Sequence, residues 1–138
     1  MPRRSRARLV ALQVLFQDDL NPRHHPMQTE EFLARRLRAE DLAEFARKLV
    51  GGVRLHRREL DALLERTAAN WSVQRMAATD RNVLRLGAFE LLHTDTPGRV
   101  AIDEAVELAK RFGTAHSGQF VNGILDRILH QAAPEPQP

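Results

Sequence analysis

The sequence predicts an all-α fold, a bundle of helices with an N-terminal and a C-terminal half. Apolar residues recur three or four positions apart through almost every segment, which is the helical period. No segment shows a convincing two-residue alternation of the kind found in half-buried strands. Proline, glycine and asparagine fall between the periodic segments, where they end helices. With 138 residues, 43% of them hydrophobic, the chain can form one compact core or two packed helical halves.

Two helices are predicted at the start of the N-terminal half. The first covers residues 5–20 and ends at Asn21, because Pro22 disfavours helix in the residue before it. A polar loop that contains His24 and His25 follows, and a second helix begins near residue 28.

A third helix is predicted from Asp41 to about residue 64, interrupted by Gly51 and Gly52. Glycine inside a helix costs about 1 kcal/mol relative to alanine. The glycine pair is compatible with a kink, a break or a close helix crossing.

The C-terminal half contains three more predicted helices. Their apolar stripes cover residues 83–92, residues 102–112 and a segment from about Ser117 onward. Gly113 stands where a helix-terminating glycine is expected.

The segment 68–78 separates the two helical sets. We therefore expect one domain, 1–138, with an N-terminal half at about 1–68 and a C-terminal half at about 73–131. Residues 132–138 contain three prolines and are expected to form a frayed tail.

The sequence contains no pattern that indicates an enzyme, a cofactor or a metal site. The absence of cysteine excludes disulfides, thiolate zinc sites and a cysteine nucleophile. Neither a phosphate-binding glycine loop nor a nucleophile elbow occurs. Asp103 and Glu107 could form a carboxylate pair on one helix face, but acids near a helix start also favour the helix dipole. Glu107 is also spaced to pair with Arg111. We therefore expect a solvated face, no catalytic residue and no metal ligand.

Membrane insertion and secretion are not indicated either. No run approaches the roughly 20 apolar residues that span a bilayer. The basic N-terminus is not followed by the apolar stretch of a signal peptide, because Gln13, Gln17, Asp18 and Asp19 interrupt it. We expect a cytoplasmic protein.

Arginine is concentrated at the N-terminus. Of 21 basic residues only Lys48 and Lys110 are lysine. The first eight residues contain four arginines and no acid, namely Arg3, Arg4, Arg6 and Arg8. Positive charge at a helix N-terminus opposes the helix dipole, so helix stability does not explain the arrangement. Guanidinium groups suit a phosphodiester backbone. The alternatives are an RNA- or DNA-binding arm and a disordered solubilising arm.

The start of the last helix carries a second candidate surface. Gln119 and Asn122 offer donors and acceptors to base edges or 2′-hydroxyls. Phe120 would stack on a base if it is exposed. The alternative is that Phe120 belongs to the core.

Three stretches of the chain resemble the NusB family of bacterial transcription antitermination factors. The first is RAR at 6–8 followed by Ala11, Gln13, Leu15 and Phe16, the second is DRNVLRL at 80–86 through FEL at 89–91, and the third is VAIDEAVELAKRFG at 100–113 followed by FVNGILD at 120–126. The third is long and specific, and the resemblance spans nearly the whole chain.

The resemblance implies an all-α, NusB-like helical bundle of two small subdomains without enzymatic activity. It implies binding of single-stranded boxA RNA together with NusE, a ribosomal small-subunit protein that also acts in transcription. The complex joins RNA polymerase with the other Nus factors and suppresses premature termination, chiefly in ribosomal RNA operons. Some family members form homodimers that cover the RNA surface, and the sequence is compatible with either state.

The resemblance also assigns candidate site residues. Those expected to bind RNA lie on the first and last helices and are Arg4, Arg6, Arg8, Gln119, Phe120 and Asn122. Those expected to contact NusE are Asp80, Arg85 and Phe89.

Three departures from the family pattern lower the RNA affinity expected without NusE. Phe16 stands where relatives often have tyrosine, Gln119 replaces a lysine found in some of them, and Ser5 interrupts the arginine run.

Two alternative functions follow from the same features. One is a helical interaction module that binds any polyanion through the arginine-rich arm. The other is the accessory domain of a ribosomal RNA methyltransferase. The length of 138 residues argues against it, because it leaves no room for a methyl-donor domain.

Overall fold

The computed structural model describes residues 3–23, 26–69 and 71–132. Every regular element in these ranges is helical, which confirms the predicted all-α fold. The elements are α1 (Arg3–Leu20), α2 (Pro26–Arg36), α3 (Glu40–Leu55), α4 (Arg57–Ala68), a short 3₁₀ helix (Val73–Arg75), α5 (Ala78–His93), α6 (Gly98–Phe112) and α7 (Ser117–Ala132). His24, His25 and all of the expected tail except Ala132 lie outside the described residues.

The chain divides into two compact units. The first, Met1–His56, contains α1, α2 and α3. Helix α3 packs along α1, and α2 packs against α3. Leu33, Ala46 and Leu49 are completely buried in this unit. Burial of such apolar surface is the main stabilising contribution to a small helical unit.

The predicted third helix is two helices in the structure. Helix α3 ends at Leu55 and α4 begins at Arg57, so the break falls at His56. Gly51 and Gly52 lie inside α3. A Cβ atom added at Gly51 would meet nothing within 4 Å, so this position is not a close helix crossing. Burial of α3 residues such as Leu49 offsets the poor helix propensity of glycine.

The second unit, Arg57–Pro138, is built around α5. This helix packs against α4, α6 and α7, and α6 packs against α7. Residues 82–90 are all buried, so α5 has no solvated face along its middle. The expected halves, 1–68 and 73–131, would assign α4 to the first half. In the structure α4 belongs to the second unit because it packs against α5 and α7.

None of the helices in the described ranges is long and apolar enough to cross a membrane.

Candidate nucleic-acid interface

The start of α1 carries dense positive charge. Arg3, Arg4 and Arg6 are exposed, and the first turn contains no acid. Arg3 Nη2 donates to Asp41 Oδ1 at 3.1 Å. Both side chains of this pair are about two thirds exposed, at 68% and 65%. Such exposed pairs contribute only about 0–1 kcal/mol, so a phosphate can compete for Arg3.

Phe45 of α3 holds two of the predicted RNA-binding arginines. The Cζ atom of Arg4 lies 4.7 Å from the centre of the Phe45 ring, and that of Arg8 lies 5.2 Å from it. Both contacts have cation–π geometry. Arg4 and Arg8, four residues apart on α1, thus lie on one face of the helix and contact the same ring.

The three predicted arginines differ in their exposure. Arg8 is only 4% exposed and is part of the packing between α1 and α3. Arg4 is exposed although it contacts Phe45. Arg6 is exposed and enters no ion pair found among the described residues. Arg4 and Arg6 are therefore accessible from solvent, whereas Arg8 is almost completely covered.

Other arginines of the first unit serve the fold. Arg54 Nε and Nη2 donate to the two carboxylate oxygens of Asp18, each at 2.8 Å, and Nη2 also donates to Thr29 Oγ1 at 3.1 Å. Arg47 Nε donates to Glu30 Oε1 at 2.6 Å. This hydrogen bond, together with nearby carboxylates, raises the pKa of Arg47. The charges of both arginines are matched within the unit.

The start of α7 presents the second predicted RNA surface. Gln119 and Asn122 are exposed, as a base-reading role requires. Phe120 lies between the two alternatives, since it is partly buried rather than fully exposed or in the core. Its ring makes an edge contact with Trp71, with centroids 6.3 Å apart and planes at 66°.

Trp71 is a residue that the sequence reasoning did not single out. It is 54% exposed, which is unusual for so large an apolar side chain. It is the only tryptophan of the chain and lies in a polar connecting segment, and these two features were the available signal.

Asn122 is oriented by a charged network on the surface of the second unit. Arg99 Nη2 donates to Asn122 Oδ1 at 3.2 Å. Arg99 also lies 3.5 Å from carboxylate oxygens of Asp103 and Asp126. Because arginine has only donors, the Asn122 amide oxygen faces Arg99 and its NH₂ group is left as a donor for another acceptor.

Arg85, a predicted partner contact, is directed inward. It is 4% exposed, and its Nε and Nη2 donate to Asp61 Oδ1 and Oδ2 at 2.7 and 3.0 Å. Its Nη1 donates to Asn82 Oδ1 at 3.2 Å. This geometry joins α4 to α5.

The other two predicted partner contacts have different environments. Phe89 is 4% exposed and stacks on the ring of His93, with centroids 5.3 Å apart. Asp80 is partly exposed in the first turn of α5. Its Oδ1 atom is buried and has no hydrogen-bond partner among the described residues. Of the three residues, Asp80 is thus the one that is partly exposed, whereas Arg85 and Phe89 are buried.

A metal-dependent site is not found in the described ranges. No three His, Asp or Glu side chains there lie close enough together to hold a metal ion. The exposed groups at the two candidate surfaces include guanidinium, amide and aromatic groups, which are able to contact phosphates and bases.

Known proteins match the chain over nearly its full length. The model of the NusB family matches residues 5–130. The transcription antitermination protein NusB of Anaeromyxobacter dehalogenans is 44% identical over 133 residues, covering 96% of this chain and 94% of the relative. The NusB protein of Myxococcus xanthus is 55% identical over 92 residues, or 66% of each chain.

Solved structures agree with this match. T. maritima NusB shares 42% of its sequence with this chain at a TM-score of 0.84, covering 98% of this chain and 95% of the other. A NusB chain from a complex of the antitermination factors NusB and NusE with dsRNA is 32% identical, with a TM-score of 0.83 and coverage of 95% and 98%. The arginine-rich start of α1, the all-helical architecture and these matches lead to one conclusion: the chain belongs to the NusB family.

Proposed function

We propose that this chain is a transcription antitermination factor that binds boxA RNA together with NusE. It acts as a binding protein rather than an enzyme, within an RNA polymerase complex that contains other Nus factors and transcribes ribosomal RNA operons. Its place of action is the cytoplasm, where that complex forms. The observation that carries the proposal is the match to the NusB family over residues 5–130, which includes Arg6 and Arg8 of the first candidate RNA surface and all of the second.

The proposed RNA contacts lie on two helices. Arg4 and Arg6 would contact phosphates, and Arg8 would support Arg4 through Phe45, which both side chains contact. Gln119, Phe120 and Asn122 would contact bases. The exposed guanidinium groups of α1 and the exposed amides of α7 support this assignment.

The proposed NusE contact involves the start of α5. Asp80 would touch the partner, because it is the one of the three residues that is partly exposed, in the first turn of α5. Arg85 and Phe89 would position α5 from within, since both are buried.

Fluorescence anisotropy of labelled boxA RNA tests the function. Binding to boxA is compared with binding to a scrambled RNA of equal length, with and without NusE, over a series of salt concentrations. Tighter binding to boxA that increases with NusE is the expected result. Equal, strongly salt-dependent binding to both RNAs with no effect of NusE would leave a nonspecific polyanion binder.

A further inference from the structure

Gly123 lies inside α7 at a position where packing does not require glycine. A Cβ atom at Gly118 would lie 3.0 Å from Lys110 Cγ, and one at Gly87 would lie 2.7 Å from Leu125 Cδ1. A Cβ atom at Gly123 would meet nothing within 4 Å. Glycine is a poor helix former, and packing does not require it here. Gly51 has the same open space, but Gly123 differs in lying beside Gln119 and Phe120 on its helix.

Because glycine has no side chain, part of the α7 surface beside Gly123 is exposed. Gly123 follows Phe120 by three residues and Gln119 by four, so all three are neighbours on the helix surface. Helical side chains lean toward the helix N-terminus, over the preceding turn. A side chain at position 123 would therefore cover the turn that contains Gln119 and Phe120. Glycine leaves that turn bare.

Trp71 adds a second aromatic ring beside this bare turn. Its ring meets Phe120 edge-on, and about half of the side chain is exposed. Thr67 before it and Val73 after it are each held by a hydrogen bond. Arg127 Nη1 donates to the Thr67 carbonyl oxygen at 3.1 Å, and the Val73 N–H donates to Glu65 Oε1 at 3.1 Å. Hydrogen-bonded residues thus precede and follow the exposed indole in the chain.

Exposed amide groups complete the surface. Gln119 borders Gly123, and Asn122 keeps its NH₂ group as a donor because its oxygen faces Arg99. Aromatic faces beside amide donors and acceptors are the chemistry that recognises an unstacked base of single-stranded RNA.

We propose that Trp71, Phe120 and Gly123 form a slot for one unpaired nucleobase of RNA. The rings stack on the base, Gly123 allows the base to approach the helix backbone, and the amides of Gln119 and Asn122 bond to its edge. The inference rests on the proposed RNA-binding function and adds Trp71 and Gly123 to its site.

Trp71 reports on the slot directly, since it is the only tryptophan of the chain. Wild-type protein with NusE is titrated with unlabelled boxA RNA, and the emission of NusE alone is subtracted. We expect the indole emission to change in parallel with the anisotropy of the labelled RNA, because a stacked base alters the surroundings of the ring.

Gly123→Ala tests the bare turn, and Gly51→Ala is the matched control. Both glycines lie inside helices with open space around them, so both variants should keep or raise the melting temperature. We expect Gly123→Ala to weaken boxA binding about tenfold, which is within the range of one base-stacking contact, and Gly51→Ala to leave it unchanged.

The outcomes separate this inference from the proposed function. One outcome is that wild type binds boxA to saturation while its indole emission stays unchanged and Gly123→Ala binds with wild-type affinity. This outcome overturns the slot and leaves the antitermination function in place. A wild-type protein that does not bind boxA even with NusE removes both. Because the emission experiment uses wild-type protein, the inference stays testable if a variant folds poorly.

Discussion

The guanidinium of Arg85 forms two parallel hydrogen bonds with the carboxylate of Asp61, at 2.7 and 3.0 Å. Arg85 is 4% exposed and Asp61 is 26% exposed, so the pair is largely removed from water. It links α4 to α5 inside the second unit. This link is one physical reason why α4 belongs with the C-terminal helices.

Removal of one member of this pair should destabilise the second unit. Asp61→Ala leaves the Arg85 guanidinium buried without its carboxylate, and we expect a loss of about 3 kcal/mol in the free energy of unfolding. Urea denaturation measures it. The double variant Asp61→Leu with Arg85→Met removes both charges and should lose clearly less. If it loses as much as Asp61→Ala, the cost arises from packing rather than from the unpaired charge.

Arg6 and Arg8 should behave differently when each is replaced by alanine. Arg6→Ala removes an exposed charge, so the slope of log affinity for RNA against log salt concentration should fall by about one unit with the melting temperature unchanged. Arg8→Ala removes a buried contact with Phe45 and should cost about 2 kcal/mol of stability.

Arg47→Ala is the control for this comparison, because Arg47 is an exposed arginine paired with Glu30 in the same unit. Its salt slope should equal that of the wild type. An unchanged slope for Arg6→Ala would reject the start of α1 as a phosphate contact.

Asp80→Ala should weaken the binding of NusE. If the carboxylate accepts a hydrogen bond from the partner, its loss should reduce affinity about tenfold, or 1.4 kcal/mol, in isothermal titration calorimetry. Stability should fall by no more than about 1 kcal/mol, the value of an acid at a helix N-terminus. Asp95→Ala, at an exposed acid of the same unit, is the control. Equal affinities of the two variants for NusE would exclude Asp80 from the interface.

Gly87→Ala should destabilise the second unit although alanine is the better helix former. The new Cβ would lie 2.7 Å from Leu125 Cδ1 and 3.2 Å from Ala105 Cβ, both on buried residues. Overpacking of this kind costs about 1–3 kcal/mol. Thermal denaturation should show a lower melting temperature for Gly87→Ala and an equal or higher one for Gly51→Ala. A stabilised Gly87→Ala would mean that α7 shifts away freely.

Local patterns were sufficient for most of the helices. The apolar stripe before Gly113 predicted the end of α6, and the structure confirms it, with the Gly113 N–H donating to the Ala109 carbonyl oxygen at 2.8 Å. The end of α1 at Leu20 follows from Pro22 in the same way. These signals act within one or two turns of the chain, so they can be recognised without knowledge of the tertiary contacts.

The break between α3 and α4 was placed wrongly for a physical reason. The low helix propensity of glycine predicted the interruption at Gly51 and Gly52, whereas packing determines where the helix ends. Residues before the break pack in the first unit, and α4 packs on α5 and α7 in the second. The change of packing partners falls at His56, and no local pattern marks it.

The sequence by itself determined the all-helical class, the family and the arginines at the start of α1, because helical periodicity, motifs and charge are properties of the chain. Only the tertiary structure decided which of these groups face solvent. It buried Arg8 against Phe45 and Arg85 against Asp61, and it brought Trp71 beside Phe120, a residue 49 positions further along the chain. Exposure and pairing depend on residues distant in sequence, and contacts of that range arise only when the helices pack.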